Sequence, residues 1–327
     1  MPDLALIRAA ATYLTPRVRR TPIEPSPGLS AALGVPALLK LEQLQITGSF
    51  KLRGAWFRLS RLSAEQRALG VVTCSAGNHG KAVAYAAREL GIRATIYVPS
   101  TVDGAKLAGM QSLGAEVVLA QARGYDEAEI EARAEAARSG RPFISAFDDP
   151  EIIAGNGGSL GLELLDQLRN VRTVITPVSG GGMAAGLALA LHAHDPRIEL
   201  ILCQHRDSPS FALSLERGHA VTAMPPIQTL AGGIEGGIGV NTFAILKDRV
   251  RRVALLSEEQ LWAATRWMLA EHQYLIEPSA AAVVAACLEE DLGPMVGPVA
   301  VILSGRNVAV PSLQRVLGAP YPAAGST

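Results

Sequence analysis

Cysteine is scarce in this chain: three among 327 residues, at positions 74, 203 and 287. A set that is odd in number and widely spaced excludes a disulfide framework and a CxxC zinc site. Surplus charge of either sign is missing too, with 30 basic and 30 acidic residues. That balance offers no footprint for nucleic acid or an anionic membrane. Charged residues make up only 18% against 49% apolar ones, which excludes a disordered chain. No apolar run approaches the ~20 residues that a bilayer crossing needs; the least polar stretch, around Gly181 to Leu191, is far shorter. The start, Met1-Pro-Asp-Leu-Ala, lacks the basic and then apolar order of a secretion signal, so a reduced cytoplasmic setting is expected. Lysine is rare as well, at positions 40, 51, 81, 106 and 247 only. Chemistry that needs a primary amine therefore has few candidates.

What is present is a βα rhythm. Short apolar runs alternate with helical patterns every roughly 20–25 residues, as in βαβ units. Val71–Cys74, Ala94–Val98, Glu116–Leu119, Phe143–Ser145, Thr173–Val178, Glu199–Cys203 and Val299–Leu303 read as strands. Lys81–Leu90, Ala105–Leu113, Asp126–Ala137, Leu160–Leu168, Met183–His192, Glu258–Leu269 and Ser279–Glu289 read as helices. Asp126–Ala137, rich in Glu and Ala, reads as a solvated outer helix. Asp148-Asp149-Pro150 separates two series of such units. The pattern predicts an α/β chain of two lobes, each an open, mostly parallel twisted sheet flanked by helices. Ligands of such sheets sit beyond the carboxyl ends of the strands.

Two segments occupy that position. Ser75-Ala76-Gly77-Asn78-His79-Gly80 follows a strand and opens a helix, where free N–H groups and the positive end of the helix dipole suit a carboxylate or phosphate. Ser179-Gly180-Gly181-Gly182-Met183 does the same, and its glycines let the backbone wrap an anion without Cβ obstruction. The plainer alternative for both is a tight βα connection. Gly180-x-Gly182-x-x-Ala185 also fits the dinucleotide fingerprint. The next strand, however, ends in Gln204-His205-Arg206 and not in the acidic residue that a nicotinamide ribose needs. Gly157-x-Ser159-x-Gly161 fits the nucleophile elbow of a hydrolase, yet the stretch from Ala154 to Gly158 before it is a poor strand. A serine hydrolase using Ser159 stays a remote alternative. The histidines form no metal-ligand spacing, and no metal is expected.

Two anion cradles beside few lysines point to a phosphorylated aldehyde. Pyridoxal phosphate needs a phosphate cradle, a lysine to hold its aldehyde and a partner for its ring nitrogen. Lys247 stands in a charged stretch, Lys81 and Lys106 on helices, and Lys40 in the apolar run Ala37–Leu41. Lys51, between Thr47 and Gly54, is flanked by small residues and Phe50. A crowded setting lowers a lysine's pKa and frees its neutral amine. The alternative for Lys51 is a solvent-facing helix position.

Ser49-Phe50-Lys51-x-Arg53-Gly54, Ser75-Ala-Gly-Asn-His79, Ser179-Gly-Gly-Gly-Met183 and Ser304-Gly305-Arg306-Asn307 together resemble the serine/threonine dehydratase family. That family has the tryptophan-synthase-β-like fold of pyridoxal phosphate enzymes, shared with serine racemase, and the likeness runs from about residue 15 to residue 317. The resemblance implies a large cofactor-binding lobe, 1–60 and 149–327, and a small lobe, 61–148, closing over the substrate. Lys51 would carry the cofactor as a Schiff base and later move the substrate's α-proton. Phe50 would pack against the ring and Asn78 would bond its 3′-oxygen. Ser75, Ala76, Gly77, Asn78 and His79 would hold the substrate carboxylate. Ser179, Gly180, Gly181, Gly182 and Met183 would cradle the phosphate, Ser304 would face the ring nitrogen, and Glu277 would stand near the cofactor. A homodimer is implied, deaminating a small β-hydroxy amino acid such as L-threonine or L-serine to a 2-oxo acid and ammonia.

A seryl hydroxyl cannot keep the pyridine protonated, which favours elimination over transamination or racemisation. Ala76 stands where racemising relatives carry an acid/base serine, and it has no proton to give. Gly155 to Gly158, Ala231-Gly232-Gly233 and Arg306 depart from the family's patterns at places expected to border the substrate pocket. 3-Hydroxyaspartate and a hydroxyectoine-derived amino acid therefore stay open as substrates. Arg306 is then either a solvated loop residue or a partner for a second acidic group. Serine racemase-like and β-replacement activities stay open beside them. Where relatives have carboxylates for a divalent cation this chain has Gln204 and Ser210, so no magnesium or calcium requirement is expected. The chain's end at Thr327 leaves no room for a C-terminal regulatory domain, and isoleucine feedback is not expected.

Overall fold

The strands of the described residues are β1 (Ile23–Pro25), β2 (Ala37–Lys40), β3 (Val71–Cys74), β4 (Ala94–Val98), β5 (Glu116–Leu119), β6 (Thr173–Pro177), β7 (Glu199–His205), β8 (Arg252–Leu256) and β9 (Val299–Ile302). The structure, a computed structural model, describes residues 1–319 apart from 101, 103, 122 and 123 and the side chains of 105, 106 and 126. Thr327 and the Lys106 side chain, both weighed above, lie outside them. Six strands form a sheet in the order β1-β2-β9-β6-β7-β8, parallel except for the antiparallel β1–β2 pair. The other three form a parallel sheet, β3-β4-β5.

Alternation along the strands assigns the two faces of the larger sheet. Val174, Leu200, Leu202 and Ile302 pack with Leu160, Leu164, Leu187 and Leu191 of helices Ser159–Gln167 and Gly182–His194. Their neighbours Ile175, Ile201 and Val301 point the other way, onto helices Glu258–His272 and Pro278–Glu289. Burial on both faces explains why these strands read as unbroken apolar runs. Pro278–Glu289 is apolar all round, with Ala280 to Ala286 fully buried, because it lies between the sheet and Glu258–His272.

Around the smaller sheet, helix Asn78–Leu90 supplies Ala82, Val83 and Ala86, which pack with Val71 and with Leu52, Ala55 and Phe57 of helix Lys51–Ser60. On the opposite side Ala128, Ala132 and Ala136 of helix Tyr125–Ser139 meet Val72 and Cys74. Glu129 and Arg133 of that helix pair at its surface (2.6 Å), so its Glu and Ala content resolves into a wet face and a small-residue face.

Helix Lys51–Ser60 is fixed by a buried ionic cluster. Arg53 Nε and Nη2 each donate to a Glu42 carboxylate oxygen at 2.8 Å, and Nη1 donates to Glu163 at 3.0 Å. Burial opposes the Arg53 charge, but Glu42 and Glu163 outweigh it and hold the guanidinium above its ordinary value. Lys40 Nζ donates to Thr21 O (2.8 Å) and to Gln167 (2.7 Å) in the same cluster, which accounts for that lysine structurally.

Some expectations need correction. Phe143–Ser145 is no strand: Phe143 alone bridges to Val72, because Ser145 Oγ accepts from Asp148 N (3.1 Å) and turns the chain out of the sheet. β1 and β8 have no clear pattern in the sequence, and β2 shows there only as the apolar run Ala37–Leu41. Helix Asn78–Leu90 begins three residues before Lys81. Gly155 to Gly158 have no exposed surface of note. They are buried in a helical turn where a Cβ on Gly157 would overlap the Met183 carbonyl, and Asn156 Oδ1 accepts from Gly54 N (2.8 Å).

Candidate active site

Lys51 is the first residue of its helix, and the chain before it is stitched to the end of β9. Phe50 N donates to Ser304 O (3.1 Å), and Ser49 and Gly305 form an antiparallel bridge. Lys51 Nζ donates to Ala146 O at 2.8 Å and lies 5.4 Å from the centre of the Phe50 ring. Burial lowers the amine to about 8, and the Glu277 carboxylate partly opposes that shift. Ser304 is buried, and its hydroxyl makes no hydrogen bond with the described residues.

Asn78 opens its helix beyond β3. Its Nδ2 donates to Glu277 Oε1 (2.6 Å) and its Oδ1 accepts from Asn307 Nδ2 (2.6 Å). Glu277 N donates to Gly305 O (3.1 Å), and a Cβ at Gly305 would displace the Glu277 carboxylate from its present place. Ser75 Oγ accepts from Gly77 N (3.2 Å), shaping the turn that leads into the helix. The His79 ring leaves the helix end and turns into the core, with Nε2 3.1 Å from Thr73 Oγ1 and 3.3 Å from Ile144 O. Burial first, and then the Lys51 charge, lower it to about 3. The ring is therefore neutral at physiological pH.

Beyond β6 the chain passes through Gly181 at φ +89°, a left-handed conformation that favours glycine. A Cβ at Gly180 would overlap the Phe147 ring. Gly180 O accepts from Thr242 Oγ1 (2.7 Å) and Gly239 N (3.2 Å), while the Ser179 hydroxyl donates to Glu235 O (2.5 Å). Among the described residues, none of the amides of 180–183 donates to another part of the chain. What this turn offers an anion is its backbone.

Three consecutive residues join these parts. Ala146 O holds Lys51, Phe147 packs on Gly180, and Asp148 Oδ1 caps helix Val240–Leu246 by accepting from Asn241 N and Thr242 N, both at 3.1 Å. Sequence reasoning gave 146–148 no role, and nothing marked them beyond the turn signal of Asp148 and Pro150. Asn307 was quoted with its motif but without a function.

An amine of lowered pKa, a turn of unengaged amides and a buried serine hydroxyl fit a phosphorylated aldehyde with a ring nitrogen. A hydrolase does not fit: Ser159 is buried and its Oγ donates to Gly155 O (2.6 Å) inside its own helix. Gln204 Nε2 donates to Ser210 Oγ (3.3 Å), and Oε1 accepts from Ala212 N (3.1 Å). Among the described residues no group of three or more His, Cys, Asp or Glu is placed to hold a metal ion, and no helix is long and apolar enough to cross a membrane.

Residues 14–305 match the family described as pyridoxal-phosphate dependent enzymes. The chain is 38% identical over 321 residues to an L-threonine ammonia-lyase of Geobacter sulfurreducens, covering 98% of this chain and 79% of that one. It is 33% identical over 327 residues to the serine racemase of Mus musculus, covering 98% and 96%. Its fold is similar to the solved structure of maize serine racemase, with a TM-score of 0.91 at 30% identity over 97% of each chain.

Proposed function

The chain belongs to the pyridoxal-phosphate dependent enzyme family, and on that premise we propose that it is a dehydratase (ammonia-lyase) converting a β-hydroxy amino acid to a 2-oxo acid and ammonia. One observation carries the proposal. Lys51 presents a buried amine of lowered pKa that donates to Ala146 O, next in sequence to the Phe147 that packs on Gly180. Bound pyridoxal phosphate supplies an aldehyde that condenses with amines and a conjugated ring that takes up the electrons left at the substrate's α-carbon.

The residues of this chain do the rest. Lys51 Nζ would hold the cofactor aldehyde and, with substrate bound, would move the proton at the α-carbon. The amides of Ser179, Gly180, Gly181, Gly182 and Met183 would bind the phosphate, Phe50 would pack against the ring and Ser304 would serve its nitrogen. Asn78 Nδ2 donates one proton to Glu277, which fixes the amide's orientation, and its other proton would serve the cofactor's 3′-oxygen. Ser75 to His79 bind the substrate carboxylate through the helix end, since the His79 ring points inward. The lobe 61–148 closes over the substrate and excludes water. A cytoplasmic homodimer is part of the same proposal and rests on the family resemblance alone.

Racemisation is the second reading, because relatives are named serine racemases. The methyl of Ala76 speaks against it, having no proton to deliver. The test is an absorption scan of the purified protein. A band near ~410 nm that borohydride abolishes and Lys51→Ala lacks, with 2-oxo acid formed from a β-hydroxy amino acid, is expected. A colourless wild-type protein would refute the reading.

A further inference from the structure

Four side chains form one line of hydrogen bonds between the two sheets. Lys81 Nζ donates to Asn307 Oδ1 (2.9 Å), Asn307 Nδ2 donates to Asn78 Oδ1 (2.6 Å), and Asn78 Nδ2 donates to Glu277 Oε1 (2.6 Å). Lys81 and Asn78 stand three residues apart on one helix, hence on the same face, and the Asn307 amide spans them. Asn307 Nδ2 also donates to Thr47 O (2.9 Å).

The backbone sets Asn307 in this place. Arg306 N donates to Gly48 O (2.9 Å), Ser49 and Gly305 form their bridge, and Phe50 N donates to Ser304 O (3.1 Å). Residues 304–307 thus run beside 47–50, in the stretch that leads into Lys51. Gly48 lies at φ +81°, a left-handed conformation, and a Cβ there would crowd Asn307 Oδ1.

The line has only one direction. A lysine ammonium can only donate and a peptide carbonyl can only accept, so Lys81 and Thr47 O assign the Asn307 oxygen and nitrogen. Asn307 then offers an N–H to Asn78, and Glu277 offers a carboxylate, which assigns the Asn78 amide as well. Turned over, Asn78 would set its oxygen against a carboxylate and its N–H against another N–H. A cation at one end and an anion at the other polarise both amides in the same sense, which strengthens each donor. With Oδ1 engaged and one Nδ2 proton on Glu277, the Asn78 side chain keeps a single N–H that meets no acceptor among the described residues.

Resting on the pyridoxal phosphate reading, we propose that Asn307 is a positioning residue: held by Lys81 and Thr47 O, it fixes the Asn78 amide so that the remaining N–H serves the cofactor's 3′-oxygen. Asn307 acts through Asn78, and Lys81 acts through Asn307.

The test uses two ligands without an aldehyde, pyridoxine 5′-phosphate and its analogue lacking the 3′-oxygen, so that neither links to Lys51. Their dissociation constants are measured by calorimetry on the full, cofactor-free chain. The wild type should prefer pyridoxine 5′-phosphate about tenfold or more, the worth of one hydrogen bond to a charged group. Asn307→Ala should bring the ratio toward one by weakening that ligand alone, and Asn307→Gln, which keeps an amide, should restore part of it. Lys81→Met should lower the ratio by less. Equal weakening of both ligands in Asn307→Ala overturns the proposal, because a mere brace between the sheets would affect ring and phosphate alike. A ratio that Asn307→Ala leaves unaltered, or a wild type that binds both ligands equally, overturns it too. Should Asn307→Ala fail to fold, Lys81→Met decides, a lowered ratio in support and an unaltered one against. A wild type that binds neither ligand and stays colourless with pyridoxal phosphate sinks the cofactor reading itself, whereas a coloured protein without the expected ratio sinks the Asn307 role alone.

Discussion

Asn78 and Glu277 meet across the two sheets, Asn78 Nδ2 donating to Glu277 Oε1 at 2.6 Å. Asn78 opens a helix of the smaller sheet, whereas Glu277 caps the helix buried beneath the larger one. The contact brings a negative charge within range of Lys51, where it counteracts the effect of burial. Removing that charge by Glu277→Gln should therefore lower the Lys51 amine further below about 8. Capture of pyridoxal phosphate by the cofactor-free protein needs the neutral amine. The pH at which the capture rate is half-maximal should accordingly move down in the variant, as read from growth of the absorption band; an upward move would contradict the assigned influence.

The buried His79 ring links stability to acidity. Its folded value is about 3 and its ordinary value 6.5. Between those limits the unfolded chain binds the extra proton, so stability rises with pH there and is lost as pH falls from 6.5 toward 3. Thermal melts between pH 7 and 4 should show that loss, and His79→Gln should give a flatter profile over the same window.

Arg53 is 1% exposed and is the counterion of both Glu42 and Glu163. Replacing it by methionine leaves buried carboxylates without a partner, which costs roughly 3–5 kcal/mol. Denaturant unfolding of Arg53→Met should register a loss of that order. Trimming the exposed pair Arg20–Asp166 should shift stability by no more than about 1 kcal/mol.

At Gly180 a side chain has nowhere to go because Phe147 fills the space. Gly180→Ala should displace the turn and weaken pyridoxal phosphate binding by about tenfold or more, a loss on the scale of overpacking a tight site. Equilibrium dialysis would measure it. Adding Phe147→Ala opens room for the new methyl and should restore part of the affinity.

Much of the architecture was legible because buried parallel strands announce themselves as apolar runs. β3, β4 and β5 have the bounds the pattern predicts, and β6, β7 and β9 differ only at their ends. The two strands without a pattern, β1 and β8, are the edge strands of the larger sheet. β1 has three residues and ends in Pro25, and β8 begins at Arg252 beside Arg251, so neither gives a clean period. Phe143 misled because its run does pair, but for one residue only. Within the candidate site, the glycine-rich turns and Lys51 stood out through composition and scarcity. Ala146, Phe147 and Asp148 did not, since a backbone carbonyl, a packing ring and a helix cap leave no mark that distinguishes them from any other linker.

The linker from Ala146 to Asp148 has three consecutive duties, each to a different partner. Adding or deleting one residue there would slide every duty onto the wrong amino acid at once. The stretch thus tolerates changes of letter far better than changes of length, and insertions that lengthen this protein in nature or in the laboratory belong in its outer loops.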